Sequence, residues 1–337
     1  MAVNRKELLS ILDKVSPGLS STEILEQSSS FVFKDGLVMT FNDEISVSHP
    51  VPYDWTGAVV AKELIALLKK YKDDELDVTL SGEEFLIKTK RGEAGIRLDA
   101  EIQLPIDDIA APKQWKPLPK NFHDAIDFTL FTTGKDLSRP VLSCIHLIDR
   151  YAESSDNYRL TSYDMGEDAA KAFPKSVLLP VDSARQLLNY TLDRYSVAEG
   201  WLHFRAKDKV VYSCRSMEGD FPSLSDFLDV KGTKFEIPDD LADTLDRAGI
   251  FSLMEAANFP SVDITLAPGW LHVESKNETG WVKEKIRLKY KGDEVTFTVN
   301  PAFLQEVLGR MKKAIVGEKM IKFEGDNFQH VAILSVK

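Results

Sequence analysis

Histidines and clustered carboxylates are the groups that could bind a metal ion or act in catalysis, and they form no recognisable catalytic motif. The histidines are scattered, and most alternate with apolar residues as in strands: His49, His123, His146, His203, His272 and His330. Acidic runs such as Asp73-Asp74-Glu75 lack a neighbouring histidine or glycine loop, so solvated turns explain them better than a metal-binding carboxylate pair does. We therefore predict no catalytic residue, metal or cofactor, with an unrecognised hydrolase kept as an alternative.

Cysteine use and hydropathy predict the compartment. Cys144 and Cys214 are the only cysteines, and both fall in predicted strands, which favours buried thiols over a disulfide. No apolar run approaches the roughly 20 residues that span a bilayer, and the N-terminus lacks a signal peptide's apolar core. We predict a cytoplasmic protein without a membrane partner.

Basic side chains form a second chemical pattern. The 337-residue chain has a net charge of −11, which argues against general binding of nucleic acid. Lysine and arginine nevertheless recur on the polar side of the predicted helices. The residues predicted to contact phosphates are Lys6, Lys14, Lys62, Lys69, Lys70, Arg185, Arg194, Arg310, Lys312 and Lys313. Compensation of helix dipoles explains any one of them, but the recurrence favours one basic, DNA-facing surface.

Except for Lys6 and Lys14, which lie near the N-terminus, these cations lie in or just after a sequence unit that occurs three times. The copies are AVVAKELIALLKK (58–70), LLPVDSARQLLNY (178–190) and TVNPAFLQEVLGR (298–310). Their paired apolar residues begin at positions 67, 187 and 307, so the period is constant at 120 residues. Each copy predicts a strand that leads into an amphipathic helix. A period of this length suits a compact domain rather than a solenoid repeat.

Hairpin signals surround each copy of the repeat. Gly-containing turns follow the helices at 81–84, 198–200 and 324–327, and earlier hairpins are predicted at Asp35-Gly36 and Pro268-Gly269. Two rounds of helix plus antiparallel strands predict an α+β domain. We predict three similar domains at residues 1–112, 118–230 and 233–337, joined by Pro-, Lys- or Gly-rich linkers.

Four segments occur in an order that resembles a known family. They are RPVLSCIHLID (139–149), YRLTSYD (158–164), SVLLP (176–180) and SMEGDFPSLSDFL (216–228). This order is similar to domain 2 of the bacterial sliding clamp, the β subunit of replicative DNA polymerase III. FTVNPAFLQEVLGRMK and HVAILSVK resemble that family's last helix and C-terminal strand. The order, the repeat and the total length carry the resemblance, because no single motif is specific.

The resemblance implies a fold and a function. The fold is the DNA clamp fold, with three domains of two helices packed on antiparallel sheets, closed into a ring as a head-to-tail dimer. The helices would line a channel around duplex DNA, which permits sliding without base readout. The function would be that of a processivity factor that tethers a DNA polymerase and a clamp loader through short peptide motifs. A clamp-fold interaction scaffold that is not loaded on DNA is the alternative.

The resemblance also assigns residues to two contact surfaces. A partner-peptide pocket would contain Leu142, Tyr163, Asp164, Pro222, Phe227, Val331 and Ile333. The dimer interface would join Ile96 and Leu98, on an edge-like strand, to Ile250 and Phe251 at a helix end.

Departures from the family pattern concern the peptide pocket. The Asp-Gly-His-Arg-Leu motif of the family aligns with Asp164-Met165-Gly166-Glu167-Asp168, and Ser225-Asp226 replaces an Arg-Arg pair. We therefore predict a changed peptide preference and a divergent member of the family, such as one encoded by a phage or mobile element.

Overall fold

The helices of the repeat begin at Ala61, Val181 and Pro301 and so keep the predicted 120-residue period. The computed structural model describes residues 1–23, 25–110, 112, 114–136, 138–253 and 259–335. A strand precedes each of these helices, and antiparallel strands follow each of them. The predicted supersecondary unit is therefore confirmed.

Short helices alternate with runs of antiparallel strands along the chain. The α-helices are α1 (Arg5–Val15), α2 (Ala61–Lys70), α3 (Phe122–Thr129), α4 (Val181–Leu187), α5 (Ser225–Leu228), α6 (Leu241–Gly249) and α7 (Pro301–Gln305). The first twelve strands are β1 (Ala2–Asn4), β2 (Ser30–Lys34), β3 (Leu37–Phe41), β4 (Ile45–Pro50), β5 (Gly57–Val60), β6 (Glu75–Ser81), β7 (Glu84–Lys88), β8 (Glu93–Asp99), β9 (Lys116–Pro117), β10 (Cys144–Asp149), β11 (Tyr151–Ser155) and β12 (Arg159–Asp164). The others are β13 (Phe173–Pro180), β14 (Leu192–Ala198), β15 (Trp201–Ala206), β16 (Val211–Arg215), β17 (Thr233–Glu236), β18 (Val262–Ala267), β19 (Trp270–Lys276), β20 (Trp281–Arg287), β21 (Val295–Val299), β22 (Lys313–Val316), β23 (Met320–Glu324) and β24 (Phe328–Ile333).

The chain folds as two compact units. The first unit contains Met1–Leu118 and Asp182–Glu218, and the second contains Pro119–Val181 and Gly219–Lys337. Strand pairing explains this division, because β4 pairs with β16 in the first unit and β12 pairs with β24 in the second. The domain boundaries predicted from the repeat would place the two strands of each pair in different domains. The division into three domains remains a prediction.

The first unit is built on one twelve-stranded sheet, in the order β1-β6-β7-β8-β5-β2-β3-β4-β16-β15-β14-β9. The predicted Asp35-Gly36 turn joins β2 and β3, and both residues have positive φ angles (53° and 70°), as a two-residue hairpin turn requires. Leu8, Leu12 and Leu64 on α1 and α2 are fully buried. The opposite sides of these helices are therefore left for polar and charged residues.

The second unit contains an eight-stranded sheet, in the order β13-β10-β11-β12-β24-β23-β22-β17, and a four-stranded sheet, in the order β20-β19-β18-β21. The predicted Pro268-Gly269 turn joins β18 to β19. Helix α6 packs on the four-stranded sheet, where the Ser275 hydroxyl donates to the Ala248 carbonyl over 2.6 Å. The first helix of the predicted middle domain is α3, which ends at Thr129.

A buried histidine in this second unit makes its stability depend on pH. His330 lies 3.0 Å from the Thr161 hydroxyl, and burial, followed by the charge of Arg159, lowers its pKa to about 3. The unfolded chain, with a pKa near 6.5, takes up this proton first as the pH falls. The unfolding free energy should therefore drop by up to about 1.4 kcal/mol per pH unit below pH ~6.5, and be fully retained above it.

Urea unfolding of wild type and His330→Gln at several pH values tests this expectation. The variant should lose less unfolding free energy than wild type on acidification, whatever its stability at neutral pH. His203 is a comparable buried histidine in the first unit, where its pKa is lowered to about 4, so it is the matched site for comparison with His330. Equal pH slopes for wild type and His330→Gln would contradict the assignment.

Candidate functional site: a basic helical face and an apolar groove

Helices α2 and α4 of the first unit present exposed cations. Lys62, Lys69 and Lys70 are exposed on α2, opposite the buried Leu64 and Leu68. The Lys69 amine lies 3.9 Å from Asp13, and both side chains are more than half exposed. On α4, Arg185 pairs with Asp182 over 3.1 Å, again at the surface. Exposed pairs of this kind contribute little stability, so these cations can exchange their partners for phosphates.

Lys6 and Lys14 on α1 are already paired with carboxylates. Lys6 lies 3.0 Å from Asp74 and, by hydrogen bonding, lowers the pKa of that carboxyl group. Lys14 lies 2.6 Å from Asp208. Both lysines line a hollow of about 770 Å³ between α1 and the segment that contains Gln186, Asn189 and Tyr190. These pairs lower the net positive charge of α1, and the pair with Asp182 does the same for α4, so α2 with its three lysines carries the strongest basic character.

Four of the predicted DNA-facing residues lie outside helices, which corrects the sequence assignment. Arg194 is on strand β14. Helix α7 ends at Gln305, and Gly309 has a φ of 87°, so Arg310, Lys312 and Lys313 follow the helix rather than extend it. Lys313 begins β22, a strand that the sequence reading missed. The apolar spacing suggested a longer helix because it continues across this turn.

Arg310 has structural partners of its own. Its Nη1 donates to the Asp127 carboxylate over 3.0 Å, and its guanidinium lies 4.7 Å from the Phe128 ring centre. Lys312 and Lys313 line a hollow together with Arg287 and Lys289. The basic face on α1, α2 and α4 is therefore better supported by the geometry than its predicted counterpart in the second unit.

An apolar groove of about 560 Å³ lies in the second unit. Five of the seven predicted pocket residues line it: Leu142, Pro222, Phe227, Val331 and Ile333. Its floor continues into a buried apolar cluster that includes Leu160, Leu224 and Val331. Phe227 and Ile333 are 49% and 41% exposed, so large apolar side chains are available for contact. Such a groove fits apolar anchor residues of a short peptide.

Tyr163 and Asp164 do not line the groove, which corrects their assignment. Side chains alternate across a strand, and Leu160 faces the groove, so Tyr163 faces the other side of β12. There its ring centre lies 5.5 Å from that of Phe128. Asp164, at the end of the strand, pairs with Arg150 over 2.9 Å.

A segment that the sequence reading misplaced lines the groove instead. Asn157, Tyr158, Arg159 and Leu160 all contribute to the lining. Asp156-Asn157-Tyr158-Arg159-Leu160 keeps the Asp, Arg and Leu of the Asp-Gly-His-Arg-Leu motif at its first, fourth and fifth positions. Asn157 has a φ of 73°, a left-handed conformation that glycine adopts freely and asparagine tolerates best among the other residues. The Asp-x-x-Arg-Leu spacing was the signal that could have located this segment.

Arginines and aromatic rings form one side of the groove. The Arg139 Nη1 donates to the Asn157 side-chain oxygen over 2.7 Å. Arg159 donates to Asp156 over 2.9 Å and to the Phe131 carbonyl over 3.0 Å, and it also pairs with Glu306. Tyr158 is 40% exposed, and its ring centre lies 5.1 Å from that of Phe259. The apolar groove therefore has a cationic and aromatic rim.

The predicted dimer residues separate into buried and exposed positions. Ile96 and Leu98 are 6% and 4% exposed, so they belong to the core of the first unit and form no exposed apolar edge. Strand β8 lies between β7 and β5, although only Leu98 and Asp99 pair with β5. Ile250 is 70% exposed at the end of α6, whereas Phe251 packs on Gly280. Ile250 is the member of the set that is best placed to contact another chain.

Within the described ranges, no group of three or more His, Cys, Asp or Glu side chains is placed to hold a metal ion. In the same residues, no helix combines the length and hydrophobicity needed to cross a membrane.

Solved structures resemble this chain along its whole length. The β subunit of the DNA polymerase of Streptococcus pyogenes matches with a TM-score of 0.90 at 18% identity, covering 100% of this chain and 99% of that one. The DNA polymerase III β sliding clamp of Pseudomonas aeruginosa, bound to griselimycin, gives 0.88 at 17% with coverage of 100% and 99%. The sliding clamp of Bacillus subtilis gives 0.84 at 16% with coverage of 100% and 98%.

No family model matches the sequence, and no curated protein matches it significantly. The structural likeness covers both chains almost completely, which confirms the fold that the sequence resemblance implied. The chain therefore has the DNA clamp fold, the fold of the bacterial DNA polymerase III β subunits.

Proposed function

We propose that this protein is a DNA sliding clamp, a processivity factor without catalytic activity of its own. The observation that carries the proposal is the full-length likeness to β subunits of bacterial DNA polymerases, with TM-scores of 0.84 to 0.90. Two copies would close head to tail into a ring around duplex DNA. A polymerase and a clamp loader would then bind the ring through short peptide motifs.

Topological retention on DNA is the direct test of this function. A ring that encircles DNA stays on a nicked circular duplex at a salt concentration that removes ordinary phosphate-bound proteins, and it leaves when the circle is linearised. We expect this behaviour after loading by a cognate or surrogate clamp loader. Release that does not depend on linearisation would instead favour a clamp-fold scaffold that is not loaded on DNA.

Contact with DNA is assigned to the basic face of the first unit. Lys62, Lys69, Lys70 and Arg185 are exposed and project from two helices of that unit. Their contacts would be made to phosphates, which are the same at every base pair, so the protein could move along the duplex. Each contact would be weak and screened by salt.

Partner binding is assigned to the apolar groove of the second unit. Asn157 and Tyr158 lie where the family motif has Gly and His, and Tyr158 with Phe259 adds an aromatic surface to the rim. The exposed guanidinium of Arg139 would pair with an acidic residue that flanks the apolar anchors of the peptide. The preferred peptide should therefore be apolar and aromatic with a nearby carboxylate.

A charge placed in the groove should remove peptide binding. We expect Ile333→Glu to weaken the capture of the partner polymerase's clamp-binding peptide by at least about 30-fold, as for a central interface residue worth about 2 kcal/mol. Fluorescence anisotropy with a labelled peptide measures this change. Val197→Glu is the matched control, because Val197 is a strand residue in the first unit with similar exposure (48%).

Two results would decide against the groove. One is an unchanged peptide affinity in Ile333→Glu, and the other is an equal loss in Val197→Glu. The melting temperatures of both variants should stay close to that of wild type, since both positions are solvent-exposed.

A further inference from the structure

A regular stripe of cations runs along strand β20 and the segment that follows it. The stripe consists of Lys283, Lys285, Arg287, Lys289 and Lys291, one at every second position, and all five are exposed. Trp281, 62% exposed, occupies the same alternation at one end. The intervening residues Ile286, Leu288 and Tyr290 are buried. The chain therefore directs all five positive charges to one side, although its net charge is −11.

The stripe belongs to the open face of the four-stranded sheet. Cross-strand pairing sets Trp270 opposite Arg287, His272 opposite Lys285, and Lys276 opposite Trp281. Directly opposed residues share a face, so this surface combines two tryptophans with a row of cations. The other face of the sheet packs on α6 with Leu271 and Val273 buried. The stripe therefore plays no part in the core of the unit.

Two of the cations are held in place by an indole ring. The Arg287 guanidinium carbon lies 3.8 Å from the Trp270 ring centre, and the Lys285 amine lies 4.7 Å from it. Cation–π contacts of this kind orient the charged groups along the sheet without neutralising them. Side chains that are already ordered lose less conformational freedom when they bind a ligand.

Few carboxylates compensate these charges. Across the residues that the structure describes, Lys283 is the one cation of the stripe with a carboxylate in salt-bridge distance, that of Glu274 at 2.6 Å. Glu284 lies within the stripe sequence but points to the other side, where it binds Arg247 over 2.6 Å. Lys285, Arg287, Lys289 and Lys291 are thus available to an external anion.

We propose that this stripe, on the open face of the four-stranded sheet, binds single-stranded nucleic acid. Alternate strand residues are roughly 6.8 Å apart, a separation comparable to that of successive phosphates on an extended single strand. Proteins that bind single strands without sequence preference combine a basic track with aromatic side chains on which bases stack. Trp281 supplies an exposed ring beside the track. An acidic peptide would complement the charges but leave this indole without a role.

Binding of a labelled oligothymidylate, long enough to span the stripe, tests the proposal. The triple variant Lys285→Glu, Arg287→Glu, Lys289→Glu should bind at least about tenfold more weakly than wild type at low salt. Trp281→Ala should bind roughly fivefold or more weakly through loss of base stacking, with Trp281→Phe close to wild type. Lys285→Gln with Lys289→Gln, which keeps the Arg287–Trp270 contact, should give an intermediate loss.

A matched control separates a site from general charge repulsion. The control is a triple variant with the same change in net charge at exposed positions of the same unit: Lys175→Glu, Lys231→Glu, Lys319→Glu. Its affinity for oligothymidylate should stay within about threefold of the wild-type value. Equal losses in the two triple variants would overturn the proposal. The stripe variant should keep topological retention on circular duplex, so the proposal does not depend on the clamp function.

Two further outcomes would assign the stripe to another partner. One is that unlabelled oligoglutamate displaces the labelled oligothymidylate as well as unlabelled oligothymidylate does, with Trp281→Ala changing the affinity for neither ligand. In that case the stripe binds an acidic protein segment and the proposal is wrong. If the stripe triple variant becomes monomeric in solution, a second copy of the chain covers the stripe and the proposal is again wrong. A dimeric variant with selective loss of oligothymidylate binding supports it.

Discussion

Reversing three exposed cations of helices α2 and α4 should sharply weaken binding to DNA if the proposed function is right. We expect Lys69→Glu, Lys70→Glu, Arg185→Glu to lower the affinity for a linear duplex at least about tenfold at low salt. Three lost phosphate contacts should also reduce the slope of log affinity against log salt by up to about 2.7. Filter binding or anisotropy over a salt series measures both quantities. The buried residues Leu64 and Leu68 are untouched, so the fold should persist.

Linear duplex is the necessary substrate for this measurement. A closed ring stays on circular DNA because of topology, even where its charge contacts are weakened, so retention alone would not report on the cations. The exposed triple variant Lys175→Glu, Lys231→Glu, Lys319→Glu controls for the change in net charge. If the basic helices only compensate their own dipoles, affinity and salt slope will match those of the control, and a slightly lower melting temperature will be the main effect.

The fold was largely predictable because local signals and the repeat agree. The turns at Asp35-Gly36 and Pro268-Gly269 join the hairpins as predicted, and the helices that begin at Ala61, Val181 and Pro301 keep the sequence period. Each of these signals is local, so it survives whatever tertiary context surrounds it. The division of the chain into two compact units was not predictable. It follows from the pairing of β4 with β16 and of β12 with β24, which joins segments that are distant in the sequence.

The candidate site was predicted less completely than the fold. Leu142, Phe227 and Ile333, which the family resemblance assigned to a peptide pocket, line the groove. Tyr163 was misplaced because the motif's aspartate was aligned with Asp164 instead of Asp156, eight residues too late. Tyr163 was thereby given the place of Ser155, which lines the groove. Ile96 and Leu98 were misassigned because their strand, β8, lies between β7 and β5 inside the sheet, and the sequence alone does not distinguish an interior strand from an edge strand.

A second large effect is expected at the end of α6, where Ile250 should contact a second copy of the chain. Its 70% exposure places a large apolar side chain in solvent, and Leu253, three residues later in the chain, is 57% exposed. Monomers seldom leave adjacent large apolar residues uncovered without a partner. Phe251, by contrast, packs on Gly280, so its truncation would damage the unit itself. The informative change is therefore Ile250→Asp alone, rather than the removal of both residues.

We expect Ile250→Asp to be a folded monomer at concentrations where wild type is a dimer. A central interface residue contributes about 2 kcal/mol, and a head-to-tail dimer contains the same contact twice, so its dissociation constant should rise roughly 1,000-fold. Sedimentation velocity over a concentration series measures this shift. Ile333→Glu, in the groove, should remain dimeric, while Ile250→Asp should keep its affinity for the groove peptide. A dimeric Ile250→Asp protein at low concentration would exclude the end of α6 from the interface, because a buried carboxylate without a partner cannot be accommodated there at so small a cost.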